Sequence, residues 1–306
     1  MLVIFISIIF FIILLFLIIW YGYRYCYKDF KNFTKIKKYW KKEDDKDNYE
    51  QLIPKKILRV IILDQDYNDN EFTNEYIPKD MEKYVEMWKK YNPEYEMYIL
   101  ENTDCIKFIK DNFDKNVLEA YNKLKPFAYK CDLFRYCWLY VNGGVYIDMR
   151  MVPIKKLKEI IKGDVSFICP DDFQLSKDST PLINGFIGVV PKHPFIKKAI
   201  DNCLINIKNK VYGNTPVDVT GPLVLGKSVN EVLDRKGKFI EGVYDSNYGK
   251  YEILTYEKSG NGDIGFIKRS GDNLIQTKYT STPYFKDGTG KGNNYWEMWD
   301  NMDVYN

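Results

Sequence analysis

Two carboxylate–guanidinium pairs stand out by residue type and spacing. Asp132 and Arg135 lie three apart in KPFAYKCDLFRYCWLYVNGG, and Asp148 and Arg150 close the run NGGVYIDMR. Residues three apart on a helix share a face, and a charged pair inside so apolar a helix is costly to bury unless a partner meets it. An aspartate carried by the end of a buried strand reaches the crevice where open α/β sheets bind ligands. Asp132, Arg135 and Asp148 therefore either converge on one polar ligand, or Asp132 and Arg135 form a salt bridge that fixes the helix against the sheet.

The elements that must position these groups are legible in the periodicity. A strand-like run from Ile57 to Leu63 follows Pro54. KDMEKYVEMWKKYNPEY has apolar residues at helical spacing and stops at Asn92-Pro93, before a second strand, YEMYILE. Helical stretches follow at Cys105–Phe113 and Lys115–Leu124, then the helix bearing Asp132, with Pro126 in its first turn and Asn142-Gly143-Gly144 as its stop. The two glycines allow a tight helix-to-strand turn with positive φ. VYIDM, DVSFICPDD and LINGFIGVVP read as strands, and IKKLKEII and PFIKKAIDNCLINIKNK as helices, the latter with Pro194 at its start. From Lys236 to Thr280 short apolar runs alternate with YDSNYGK, KSGNGD and RSGDN, which is hairpin chemistry. The sum is an α/β fold with an open sheet of mixed character and antiparallel additions towards the carboxyl end.

Composition narrows the function classes. With 306 residues, 45% hydrophobic, the chain can bury one sizeable core or two small ones. A net charge of +3 gives no reason to expect nucleic acid as a partner. Six cysteines without a C-x-x-C pair and a single histidine, His193, argue against a Cys/His zinc site. The same inventory removes Ser-His-Asp and Cys-His chemistry unless His193 is the base, and its context, PKHP, reads as a surface turn. Cys131 and Cys137, six apart on one helix, point to different sides and should not pair. No G-x-G-x-x-G follows the first strand, which argues against a nicotinamide-dependent oxidoreductase.

Residues 1–21 read as a transmembrane anchor and 22–50 as a charged stalk, leaving 51–306 as the globular domain. MLVIFISIIFFIILLFLIIW is almost continuously apolar and about 30 Å long as a helix. It lacks the basic start and the small-residue cleavage site of a signal peptide. Trp20, Tyr21, Tyr23, Tyr25 and Tyr27 fit an interfacial aromatic belt. The lysines after the span favour a cytosolic domain, whereas the sequon Asn32-Phe33-Thr34 favours a lumenal one, so the side of the membrane stays open.

AYKCDLFRYCWLYVNGGVYIDMR, from Ala128 to Arg150, resembles the signature of the glycosyltransferases with a DXD sugar-binding region, the family of the yeast outer-chain mannosyltransferase with capsular-polysaccharide and viral relatives. IPKKI at Ile53, WKKYNPEYEMYILE at Trp88, NGFIGVVPKHP at Asn184 and VTGP at Val219 resemble further blocks of that family, and YWEMWDNMDVY its closing segment. The resemblance implies a GT-A-like, Rossmann-type fold. It also implies transfer of a hexose from a nucleotide-sugar donor to a hydroxyl of a glycan, lipid or protein acceptor, with retention at the anomeric carbon. Residue by residue, it makes Asp132 and Arg135 partners of the donor sugar's hydroxyls. Asp148 becomes the first Asp of DXD, near ribose, sugar and metal; Tyr146 flanks the nucleoside, and Asn184 lies near the sugar.

Arg150 departs from the pattern, since it occupies the second acidic position, which in the family ligates Mn²⁺ or Mg²⁺. A departing nucleoside diphosphate can be stabilised by a divalent cation or by a fixed guanidinium. The two exclude each other at close range, because unit charges roughly 4 Å apart repel by about 4 kcal/mol at an effective dielectric near 20, and a divalent ion doubles this. Either Arg150 binds the diphosphate in place of the metal, or it turns away and ligands come from Asp171, Asp172, Asp287 or Glu297, each otherwise a solvated loop carboxylate. The competing reading of the chain is a membrane-anchored sugar-nucleotide-binding or scaffold protein with impaired catalysis.

Overall fold

β1 (Lys56–Val60) is buried on both faces, as a strand covered on both sides must be. In the computed structural model, which describes residues 51–62, 77, 79–172, 180–259, 264–277 and 293–306, it pairs in parallel with β2 (Glu96–Leu100) and β3 (Gly144–Ile147). α1 (Lys79–Tyr91) joins β1 to β2. α2 (Asn102–Asn112), α3 (Lys115–Lys123) and α4 (Phe127–Asn142) lead to β3. Pro126 is the residue before α4, one position outside the turn expected to hold it, with the extended backbone that suits an N-cap.

Gly143 and Gly144 turn the chain from α4 into β3 with φ of 63° and 100°. A Cβ on Gly144 would sit 2.7 Å from the Lys56 carbonyl oxygen, so the turn and the approach of β3 to β1 both require glycine. After β3 come β4 (Val152–Pro153), a single helical turn α5 (Leu157–Ile160), β5 (Val165–Pro170) and β6 (Phe186–Val189). IKKLKEII, expected as a helix, is thus only one turn long. α6 (Pro194–Lys208) has the expected start, and α7 (Pro222–Val232) is a helix that the sequence reading lacks. The hairpin region forms β7 (Gly242–Tyr244), β8 (Lys250–Lys258), β9 (Gly265–Arg269) and β10 (Asp272–Gln276), followed by α8 (Tyr295–Asp300).

Among the described residues the strand order is β2-β1-β3-β6-β5-β8-β9-β10-β4, with β7 paired to β8. β6 runs antiparallel to β3 and β5, β8 lies parallel to β5, and β8, β9, β10 and β4 are antiparallel in turn. The sheet is therefore open and mixed. Only the turn Asp148–Met151 separates β3 from β4, yet β4 ends the strand order, so the sheet curls until its last strand returns beside that turn.

Alternation along β1 and β3 sorts the core. Leu58 and Tyr146 face the helices α2, α3, α4, α6 and α7 in one cluster, while Ile57, Val145 and Ile147 pack with Trp88, Phe186 and Leu254 in another. α4 is buried almost all round, which explains why its apolar residues form no single stripe. The described residues all fall in the unit Glu50–Asn306. The expected anchor and stalk lie outside the described residues. Among the latter, no helix is long and apolar enough to cross a membrane.

Candidate active site

The carboxyl ends of β1, β3 and β5 lie on one edge of the sheet, and antiparallel β6 starts there. Its register sets Ile147 opposite Phe186, so Asp148 faces the Asn184-Gly185 segment; the Asp148 N–H donates to the Gly185 carbonyl at 2.9 Å. A Cβ on Gly185 would lie 2.6 Å from Asp148 Oδ2. Glycine is therefore required for the Asp148 side chain to lie where it does.

α4 contributes Asp132 and Arg135 to the same edge, one helical turn apart. Arg135 Nη2 lies 3.1 Å from Asp132 Oδ1, and its Nη1 lies 3.6 Å from Asp148 Oδ1. Nη1 also donates to the Asn184 carbonyl at 2.7 Å, and Nε to the Cys131 carbonyl at 3.2 Å. Asp132 is enclosed: Asn184 Nδ2 donates to its Oδ1 at 2.9 Å and Thr220 Oγ1 to its Oδ2 at 2.9 Å. Burial pushes its carboxyl above the usual range, against the opposing pull of Arg135, Thr220 and Asn184. For Arg135 burial works against the charge, but Tyr146, Asp132 and Asp148 outweigh it and hold the guanidinium protonated. The salt-bridge alternative is realised: Asp132 and Arg135 pair, and the pair extends to Asp148, whose side chain is 45% exposed.

Tyr146 and Asn184 take supporting positions. The Tyr146 ring is buried, with the Arg135 guanidinium 4.1 Å from its centroid, and its hydroxyl donates to Asp148 Oδ1 at 2.8 Å. One face of the ring carries Arg135, because β3 alternation turns Tyr146 towards α4. Asn184 spends its Nδ2 on Asp132 and on the Tyr136 hydroxyl, each at 2.9 Å. Its side chain therefore orients Asp132.

Arg150 is half-buried, and burial lowers its pKa while Asp148 and Tyr295 raise it. The guanidinium thus feels the charge of Asp148 and the Tyr295 hydroxyl. Tyr295, from α8, packs at a tilt on Tyr129 of α4, ring centroids 5.9 Å apart, and feels Asp132, Arg150 and Asp148. The closing segment is tied in place by the Asn293 side chain, which accepts from the Phe127 N–H at 2.7 Å, and by Trp299 Nε1, which donates to the Tyr212 carbonyl at 2.8 Å.

Sequence reasoning missed three contributors. Thr220 lies in VTGP, whose proline starts α7. Tyr295 gives no sign without the tertiary fold. Arg59 does give one, being a charge set between the apolar Leu58 and Val60 of KILRV. It is fully buried and donates to the carbonyls of Tyr84 at 3.1 Å, Asp148 at 3.0 Å and Met149 at 2.6 Å. Trp88 Nε1 holds the Met151 carbonyl at 2.8 Å, so the whole Asp148–Met151 turn is pinned from the α1 side.

Among the described residues the donor set does not build a divalent-cation site. Among the described residues no three Asp, Glu, His or Cys side chains are grouped to hold a metal. Asp132 is enclosed by Arg135, Thr220 and Asn184, leaving Asp148 with two arginines near it. The alternative ligands lie elsewhere or serve other ends. Asp171 accepts from the Tyr256 N–H at 3.2 Å, and burial raises its pKa to about 6; Asp172 is buried, so neither is the solvated loop carboxylate expected. Glu297 is exposed on α8, and Asp287 lies outside the described residues.

His193 is buried too, contrary to the surface turn expected of it. Its Nδ1 accepts from the Phe195 N–H at 3.2 Å, capping α6, while its ring packs on Phe167 and Phe195, and burial lowers its pKa to about 3. It therefore serves the core. Cys131 and Cys137 are free thiols, like the other three cysteines among the described residues.

Residues 78–167 match the glycosyltransferase sugar-binding region containing the DXD motif. An uncharacterized glycosyltransferase of Acanthamoeba polyphaga mimivirus is 29% identical over 174 residues, 57% of this chain and 67% of that one. The initiation-specific alpha-1,6-mannosyltransferase of Candida albicans is 34% identical over 86 residues, 28% of this chain and 22% of that protein, so the chain spans well under half of this relative. Among solved structures, the PaToxG glycosyltransferase aligns over 60% of this chain and 70% of its own at 17% identity, with a TM-score of 0.44. Across residues 78–167 the chain is thus similar to the glycosyltransferase sugar-binding region containing the DXD motif, and the relatives it matches are glycosyltransferases.

Proposed function

We propose that the chain is a nucleotide-sugar-dependent hexosyltransferase of GT-A-like fold that transfers the sugar to an acceptor hydroxyl with retention. One observation carries this reading: Arg135 links enclosed Asp132 to half-exposed Asp148 at the strand edge where open α/β sheets bind ligands. Asp148 is the acceptor free to take hydroxyl protons of ribose or sugar, while Asp132, Tyr146 and Asn184 hold Arg135 and Asp148 in place. Transfer breaks the bond from the anomeric carbon to the diphosphate oxygen and makes one to the acceptor oxygen; the acceptor's proton leaves with the phosphate or to solvent. Negative charge then grows on the diphosphate, and Arg150 is the cation positioned to stabilise it.

This reading makes any dependence on Mn²⁺ or Mg²⁺ weak, because the arginines near Asp148 oppose a second cation. Donor hydrolysis across a panel of nucleotide sugars, with and without EDTA, tests both parts. Turnover that persists in EDTA, with nucleoside diphosphate affinity about tenfold lower in Arg150→Ala, is expected. Loss on chelation with rescue by Mn²⁺ would sink the metal-poor reading, and hydrolysis of no donor would favour the scaffold. The acceptor is a glycan, lipid or protein hydroxyl.

Residues 1–21 are proposed as a membrane anchor and 22–50 as its stalk, supported by twenty apolar-rich residues of spanning length. After alkaline extraction the full chain should stay in the membrane pellet; release to the supernatant rules the anchor out.

A further inference from the structure

The amino-terminal edge of the parallel strands, opposite the candidate site, collects lysines from four parts of the chain. Lys55 and Lys56 open β1, Lys90 lies in the last turn of α1 ahead of β2, and Lys162 precedes β5. Lys192 follows β6, whose last residue, Val189, pairs with Gly144 at the start of β3. Lys156 joins them because the next residue, Leu157, donates its N–H to Asn92 Oδ1 at 2.7 Å, which seats the start of α5 beside the loop from α1 to β2. Main-chain bonds close the edge: Leu52 N–H to the Gly163 carbonyl and Glu96 N–H to the Lys55 carbonyl, each at 3.0 Å. All but Lys56 are exposed, and none of the six forms an ion pair among the described residues.

Against the six stand Glu94, Glu96 and Glu159, while Asp164 pairs with Lys250, so the edge keeps a surplus of positive charge. Residues 51–306 hold as many acidic as basic side chains. The surplus is therefore segregated charge, offset by acids elsewhere on the domain. The chain also enters the domain here: Leu52 is tied to Gly163, and the Gln51 side chain accepts from the Tyr95 hydroxyl at 2.7 Å. The fifty residues before that point carry the apolar run of spanning length and a lysine-rich stretch. A basic surface at such a junction fits an anionic lipid surface, whose potential raises affinity roughly fivefold for each lysine brought near it.

We propose that the lysine edge docks the domain on anionic phospholipid headgroups. The register sets Tyr146 beside Leu58, so Asp148 lies roughly 13 Å along the strand direction from Lys56, and the candidate site opens away from the bilayer. Anionic lipids concentrate in the cytoplasmic leaflet, the side that the lysines after the apolar span also favour. The anchor is not required for this contact; it raises the local concentration of the surface.

The test uses the full chain in vesicles of phosphatidylcholine, alone or with about a third phosphatidylserine, labelled with a membrane-impermeant acetylating ester and read lysine by lysine by mass spectrometry. Lys55, Lys156, Lys162 and Lys192 should label at least about fivefold more slowly with phosphatidylserine, and high salt should remove the difference. Lys123 and Lys208, remote from this edge, should label equally in both. Lys90→Glu combined with Lys156→Glu and Lys162→Glu should bring Lys55 and Lys192 to equal rates in both vesicles; should that variant not fold, the wild-type rates decide. Wild-type rates within twofold in the two vesicles, or a slowing shared by Lys123 and Lys208, overturn the surface. Alkaline extraction separates this from the anchor. A chain that stays in the pellet yet labels equally overturns the surface alone; a released chain that still sediments with phosphatidylserine vesicles overturns the anchor alone.

Discussion

The fold buries two arginine–carboxylate systems that differ in how they end. Arg269 of β9 meets Glu252 of β8 side-on, Nε to Oε1 at 2.6 Å and Nη2 to Oε2 at 2.9 Å, and its remaining donors go to the Glu159 and Ile160 carbonyls of α5. Glu252 is buried, both its oxygens are taken, and the pair is closed. Arg135 instead spreads over Asp132, Asp148 and the Asn184 carbonyl, and the system ends on a carboxylate with 45% of its side chain exposed. The first is a strut joining the curled part of the sheet to α5. The second is a strut with one acceptor left over, and that surplus is what a ligand can use.

Breaking the closed pair should have the largest effect on folding. Glu252→Gln leaves the Arg269 charge, 18% exposed at the side chain, without its buried counter-charge, and is expected to cost about 3 kcal/mol in denaturant unfolding with the donor KM unchanged. A KM change in the folded variant would show that the two systems are not separate. Asp148→Asn should do the reverse: donor hydrolysis down about 100-fold, roughly 3 kcal/mol of barrier, with stability altered by less than about 1 kcal/mol. Equal turnover in this variant would remove Asp148 from the site.

His193 sharpens the comparison because it is buried, polar and, like Glu252, fully occupied. Its folded pKa of about 3 lies below the unfolded value of 6.5, so the unfolded chain binds the extra proton. Its contribution to stability is therefore complete above pH 6.5 and is lost as pH falls from 6.5 towards 3, by about 2 kcal/mol at pH 5. His193→Asn, which keeps a cap acceptor for Phe195, should flatten that part of the stability curve. An unchanged slope would place the acid sensitivity elsewhere, with Asp171 excluded by sign: its raised pKa makes stability fall as pH rises through about 6.

Local pattern made much of this legible. The spacing of Asp132 and Arg135, the glycine turn and the strand ending at Asp148 depend on neighbours within one helix or one strand, and each appears where the sequence places it. α7 is short and holds a glycine and polar residues among its buried positions, which weakens its apolar pattern, and the burial of His193 is hidden because PKHP reads as a turn whether or not Phe167 covers it. Arg59 was visible as an isolated charge, but its partners are main-chain atoms of residues 84, 148 and 149, which no pattern within β1 announces.

By itself the sequence determined which charged residues α4 carries and which follow β3, Arg150 two positions after Asp148 among them, since these follow from short-range geometry and residue identity. Only the tertiary structure decided that Asp132 is enclosed while Asp148 remains half exposed, that Tyr146 supports Arg135, and that Tyr295 faces the same site from the far end of the chain. The reason is physical: exposure and electrostatic partnership are set by contacts between elements remote in sequence, and these arise only when the sheet curls and the closing segment docks on α4.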